Sequence, residues 1–180
     1  NSNLLDRIDL SDINLAGASI SNVSLKGKDL SGANLSYVDL SGIDLRSVTL
    51  TNADFRNANL SESKLLDSLL VNNNFNYATL KNINFAGKDL SGSSFNKVKL
   101  DGSDIQNTNL KNSSFVQVDF TKIKNKSLAG TDLTNASFAY ANLSGVNLAG
   151  AKTVFNNFQT ANLSGTDFTV ISKASVTGSL

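Results

Sequence analysis

From Leu5 to Phe120, every position divisible by five holds Leu, Ile or Phe. No regular secondary structure accommodates that spacing. On an α-helix a step of five residues turns through about 140°, so the apolar residues would wander around the cylinder. On a flat strand an odd step sends alternate members to opposite faces. The chain can bury them all on one side only if its direction resets every five residues.

The neighbouring positions show how it does so. With the large residue as position i, position i−2 is mostly small or β-branched, as at Ile8, Ile13, Ala18, Val23, Ala33, Val38, Ile43 and Val48. Residues two apart on extended chain share a face, so i−2 and i both point inward along a very short strand. Eleven of the twelve glycines, from Gly17 to Gly165, fall at i+2, and asparagine takes much of the remainder, as at Asn22, Asn52, Asn57, Asn82, Asn112 and Asn135. Both residue types tolerate the positive φ of a type II or related tight turn. Each pentapeptide is one short side followed by a corner.

Phenylalanine gives the number of sides. Phe55, Phe75, Phe95, Phe115, Phe138 and Phe158 are spaced 20, 20, 20, 23 and 20 residues apart. Stacked as a ladder on one face, they require four pentapeptides, about 20 residues, per coil. Roughly nine coils at about 4.8 Å each would build a tower near 40 Å tall. The one spacing of 23 contains FTKIKNKSLAG, Phe120 to Gly130, where Leu128 follows Phe120 by eight residues instead of five. The pattern predicts a solenoid over residues 1–168 with a three-residue insertion within 121–127, bulging from one side or corner. Residues 169–180 form a cap or tail, with Ile171, Val176 and Leu180 placed to close the last coil.

ADFRN at 53–57, ANLSE at 58–62 and ANLSG at both 141–145 and 161–165 carry the pattern A(D/N)LXX, and on these residues the chain resembles the pentapeptide-repeat proteins. The large central residue is kept in 32 of the 33 pentapeptides from Leu5 to Phe168, Thr153 being the exception. The resemblance implies an all-β fold, a right-handed quadrilateral β-helix; the handedness comes from the family alone. A repeat solenoid presents broad rigid faces and usually acts by binding, so a non-enzymatic protein-interaction or scaffold module is expected. Two further functions occur in the family or suit such a solenoid: a DNA-mimicking inhibitor or protector of DNA gyrase, and the repeat domain of a secreted bacterial effector or lumenal protein. The gyrase reading would call for a continuous acidic column and long projecting loops, and neither is visible in this sequence.

Composition narrows the chemistry. Sixteen basic against 15 acidic residues leave a net charge of +1, so no overall field steers the chain toward nucleic acid or an anionic membrane, and direct binding to either is not expected. With no cysteine there is neither a disulfide nor a thiolate metal site, and the compartment is not marked. With no histidine the usual catalytic base and metal ligand is missing, so no enzyme, cofactor or metal is expected. Aspartates such as Asp9, Asp29, Asp39, Asp44 and Asp54 occupy i−1, where they either solvate the surface or bond neighbouring backbone. The start Asn-Ser-Asn suits a processed protein or a piece of a longer one.

Several features rise above the repeat. Tyr37, Tyr77 and Tyr140 all fall at i+2 on one corner column, with Asn57, Lys97 and Gln117 between them, an aromatic and polar ridge suited to a protein partner. Leu66, Leu69 and Val71 take outward positions that are polar in neighbouring repeats, and so form a candidate contact surface. Lys122, Lys124 and Lys126 make the densest basic patch, read as a solvated loop diluted by Glu62, Asp101 and Asp104. Lys28 and Lys88, each within an identical GKDLSG, sit at i−2, where burial of an unpaired charge forces the side chain to bend out or the side to rotate. Leu4 and Leu5 offer no cap to the first coil, so homodimerisation through coil ends is a further expectation.

Overall fold

The computed structural model describes residues 9–20, 23–65 and 68–169. The expectations for Leu66, for the first coil at Leu4 and Leu5, and for a cap through Ile171, Val176 and Leu180 concern residues outside that set. Each side of the coil is three residues long. Its middle residue makes an isolated parallel bridge to the residue twenty positions on, as Asp9 does to Asp29, Asn34 to Asp54 and Asn74 to Ser94. Pairs that straddle 120–127 are 23 apart instead, as in Asn109 to Asp132 and Ser114 to Ser137. The described residues contain no continuous strand, because a side this short leaves only its middle residue in ladder geometry. The four inward columns run through Leu25, Leu30, Leu35 and Leu40, and the third becomes all phenylalanine from Phe55 to Phe158. We refer to these as the Leu25, Leu30, Phe55 and Leu60 faces.

Three sets of hydrogen bonds shape the pentapeptide. At the corner, the carbonyl of residue i accepts from the N–H three residues on, as Leu30 does from Ala33 and Phe75 from Ala78, both at 3.0 Å. Outside the bulge at 120–127, positive φ among the described residues falls on the third residue of that turn, between +65° and +73° at the eleven corner glycines, which is the type II pattern. Before the corner, the Asp or Asn at i−1 accepts from the N–H of i+1: Asp29 from Ser31 at 2.9 Å, Asn34 from Ser36 at 3.1 Å, Asp54 from Arg56 at 3.0 Å. The repeat's D/N is therefore a local backbone acceptor, a job that Leu or Ala could not do. Inside, hydroxyls at i−2 donate to a corner carbonyl of the adjacent coil, as Ser68 does to Leu45 at 2.5 Å, Thr108 to Phe85 at 3.1 Å and Ser113 to Leu90 at 3.2 Å.

The core is a column of stacked rings. Phe55, Phe75, Phe95 and Phe115 lie 5.0, 5.0 and 4.8 Å apart at interplanar angles of 6°, 16° and 6°. The next step, Phe115 to Phe138, widens to 5.4 Å, and there Phe120 stands edge-on to Phe115 at 64° and 5.4 Å. The wider step and the wedge ring coincide with the extra residues of the chain. Those residues form two 3-10 turns, Phe120–Lys122 and Lys124–Lys126, with Ile123 between them only 4% exposed. The excursion is thus pinned into the core by an isoleucine. Lys124 N–H still reaches Ser103 O at 2.9 Å on the coil on one side, and Lys126 O takes Asn147 N–H at 2.9 Å from the coil on the other.

Corner glycines are not equivalent. At Gly92 a Cβ would come within 2.0 Å of Asn72 Oδ1 on the adjacent coil, whereas at Gly42 it would meet nothing. Both residues have positive φ. We therefore expect Gly42→Ala to cost only the left-handed penalty, about 1–2 kcal/mol, and Gly92→Ala to cost more, because the Asn72 amide must also move. Urea unfolding of the two variants against the parent measures the difference. Phe95→Ala, which removes a ring from the middle of the stack, should exceed both at about 3–5 kcal/mol.

Candidate functional site

The tyrosine ridge is made by the corner itself. Tyr37, Tyr77 and Tyr140 occupy the corner between the Phe55 and Leu60 faces with φ of +62°, +64° and +59°. Each main-chain N–H donates to the adjacent coil, to Arg56, Asn96 and Gln159 carbonyls, all at 2.9 Å. With the backbone turned left-handed and its amide tied down, the side chain projects outward, leaving the three residues 69%, 55% and 53% exposed. Asn57, Lys97 and Gln117 stand between them at φ of +59° each. The Lys97 ammonium lies 5.4 Å from the Tyr77 ring centroid, a cation–π contact along the ridge.

The face beside this ridge is the most regular of the four. Parallel bridges run without a gap from Asn14 through Asn34, Asp54, Asn74, Ser94, Ser114 and Ser137 to Asn157. Side chains add a second ladder: Asn76 Oδ1 accepts from Ser94 Oγ at 2.6 Å and Asn96 N–H at 2.9 Å, and Asn96 Oδ1 repeats the pattern with Ser114 at 2.7 Å and Val116 at 2.8 Å. The result is a flat polar surface with an aromatic edge.

Its opposite edge carries a residue that sequence reasoning missed. Phe155 has φ of +55° and is 75% exposed. The signal was present in Thr153, the one pentapeptide centre off the motif, since it places Phe155 at i+2, the position of the tyrosines. Thr153 is buried with Oγ1 lacking a partner, and Asn156 fills the next i−2 position by donating to the Leu133 and Ala136 carbonyls.

The other sequence-derived candidates are placed elsewhere. Leu69 is outward on the Leu30 face and 58% exposed, but Val71 is half-buried, so the two do not form one projecting patch. Lys122, Lys124 and Lys126 are exposed on the bulge, which stands at the next corner round the coil from the tyrosines, between the Leu60 and Leu25 faces. Two of them are paired, Lys124 to Asp104 at 3.0 Å and Lys122 to Asp119 at 3.9 Å. Exposed pairs of this kind stabilise by about 0–1 kcal/mol. Lys28 and Lys88 are half-buried at their i−2 positions. Among the described residues no cluster of acidic side chains has the geometry to hold a metal ion.

The profile of the family described as Pentapeptide repeats matches eight copies over residues 8–52, 29–67, 53–92, 74–112 and 113–152. The chain belongs to the pentapeptide repeat family. Similar solved members include HetL, a protein involved in heterocyst differentiation regulation from the cyanobacterium Nostoc sp. strain PCC 7120, at 21% identity over 91% of this chain and 86% of that one, TM-score 0.42. QnrB1, a plasmid-mediated fluoroquinolone resistance protein, is 20% identical over 93% of this chain and 87% of its own, TM-score 0.49. A pentapeptide repeat protein of the Arabidopsis thaliana thylakoid lumen is 21% identical over 78% and 74%, TM-score 0.22. Curated protein sequences give no match.

The aspartates that brace the corners carry a pH dependence. Burial pushes the Asp104 carboxyl up, but the hydrogen bonds from Lys124 and from Gln106 N–H outweigh it and hold the group below its usual value. Asp132 is likewise raised by burial and lowered further by the Thr134 hydroxyl and N–H and by Lys111. A carboxylate with a depressed folded value stabilises fully above its unfolded value, about 3.9, and loses that contribution as pH falls through the folded value. Melting temperature should therefore be level above about pH 4.5 and drop below about pH 4. The drop should be smaller in Asp104→Asn with Asp132→Asn, and scanning calorimetry from pH 2.5 to 7 reads it.

Proposed function

We propose that this protein is a non-enzymatic interaction module of roughly nine right-handed coils, which presents the Phe55 face and its tyrosine edge to a protein partner. The observation that supports this most directly is the conformation of the three tyrosines. A left-handed backbone costs a residue with a Cβ about 1–2 kcal/mol, and glycine or asparagine would relieve much of that, as they do at most other corners. Rings more than half exposed gain little core burial in return. The expense is repaid when the rings insert into a partner, since tyrosine supplies large contact area at low entropic cost.

The flat bridged face beside them suits the same role, because a rigid surface loses little freedom on docking. A DNA-like role finds less support. The outward column richest in aspartate, on the Leu30 face, reads Asp9, Asp29, Thr49, Leu69, Asp89, Asn109, Asp132 and Lys152, and so its acidic run is broken twice by uncharged residues before Asp132.

The triple variant Tyr37→Asn, Tyr77→Asn, Tyr140→Asn tests the proposal. Its melting temperature should equal or exceed the parent's, since asparagine tolerates the left-handed corner. Partner recovered on the immobilised parent protein should be lost on the variant. Equal recovery by both would remove the ridge from the interface.

A further inference from the structure

The Leu60 face lies between two marked corners, the tyrosine corner on one side and the bulge at 120–127 on the other. On two successive coils its outward and corner positions hold Lys81, then Lys97 and Lys99, and the bulge on the next coil adds Lys122, Lys124 and Lys126. All six side chains are exposed. Three aspartates stand against them, Asp101 and Asp119 within the strip and Asp104 on the adjoining Leu25 face. That local excess exceeds the +1 of the whole chain, so the remainder of the molecule is net acidic.

Most of this charge is unanswered. Lys124 pairs with Asp104 at 3.0 Å, and Lys122 reaches Asp119 only at 3.9 Å. Lys81, Lys97, Lys99 and Lys126 make no ion pair among the described residues. The strip is also rigid. Leu80 N–H donates to Lys99 O at 2.8 Å, Lys97 N–H to Val116 O at 3.0 Å and Gly102 N–H to Lys122 O at 2.8 Å, while buried Ile123 pins the bulge. Two of the lysines take left-handed backbone as the tyrosines do, Lys97 at φ of +59° and Lys126 at +46°, where glycine or asparagine would be relaxed.

Like charges fixed this close together repel one another, and an anionic partner relieves the repulsion. The strip covers three coils, about 10 Å along the axis at about 4.8 Å per step. An extended peptide laid along the coils, at about 3.4 Å per residue, crosses from the tyrosine corner to the bulge in about five residues. Nucleic acid fits less well, because a backbone with a phosphate at every link must meet Asp101 and Asp119. A peptide can set neutral residues or N–H donors opposite those two carboxylates. The outward positions of the adjoining Phe55 face hold no charged residue from Asn74 to Asn157, so recognition of charge falls to the Leu60 face.

We infer that the Leu60 face docks an acidic segment of the protein partner, a short extended peptide rich in Asp and Glu whose carboxylates meet Lys81, Lys99 and Lys122. Lys97 and Lys126 hold its two ends. Its uncharged residues lie against Asp101 and Asp119. The inference rests on the interaction surface proposed above, since the Tyr77 corner borders both faces, and it assigns the partner a charge that the tyrosines alone do not.

Fluorescence anisotropy of labelled octaglutamate with the intact protein tests the inference, with octalysine and octathymidylate as the other probes. Saturable binding of octaglutamate is expected at about 20 mM salt, fading by about 300 mM as the Debye length falls. Lys81→Glu with Lys99→Glu should weaken it about tenfold, and Asp101→Asn should tighten it. Lys26→Glu with Lys152→Glu changes the net charge equally outside the strip and should leave the affinity at the parent value. All four lysines are exposed, so both pairs should keep the parent melting temperature. Octaglutamate has no apolar group for a ring to hold, so the triple tyrosine variant should bind it as the parent does, and the two readings fail separately. Absence of saturable binding, equal losses in the two lysine pairs, or tighter binding of octalysine or octathymidylate would each overturn the inference.

Discussion

A chain that turns a corner every five residues must place one residue per corner in left-handed backbone, and everything else in this molecule is arranged around that requirement. The turn brings the carbonyl of residue i onto the N–H of i+3 and aims the N–H of the left-handed residue along the tower axis, where the adjacent coil accepts it. The same geometry strips the side of all but three residues. One of those three must then face outward, and its carboxylate or amide braces the next turn through the N–H of i+1. The inward pair becomes core by elimination, and identical coils stack identical side chains, which is how six phenylalanines come to lie in one column about 5 Å apart.

Such a plan is legible in sequence because each rule acts within five residues. Glycine and asparagine at i+2 mark the corners, Asp and Asn at i−1 mark the braces, and the phenylalanine interval of 20 gives the coil. Sequence reasoning left open whether Asp29 or Asp54 merely solvates the surface, and the structure resolves it in favour of the backbone bond. What could not be read lies in contacts between coils. That Ile123 would turn inward depends on how the coils pack beside the edge-on Phe120. The half-burial of Val71 beside an exposed Leu69 depends on which coil lies against it.

The candidate sites divide along the same line. The tyrosine column needed only counting by twenty, so its members were found. Phe155 is as exposed as any of them, yet it follows a centre, Thr153, that breaks the pattern used for counting.

The continuous bridging of the Phe55 face has a mechanical consequence. Its residues are linked coil to coil from Asn14 to Asn157, while the Leu25 face across the core has its ladder interrupted. A column fastened along one wall and cut on the wall across from it behaves as a hinged spine: it flexes by opening the cut side and keeps the fastened side at constant length. Features ruled onto the fastened wall therefore hold their mutual spacing while the body bends, as the marks on a steel tape do, and the tyrosines stand along the edge of that wall.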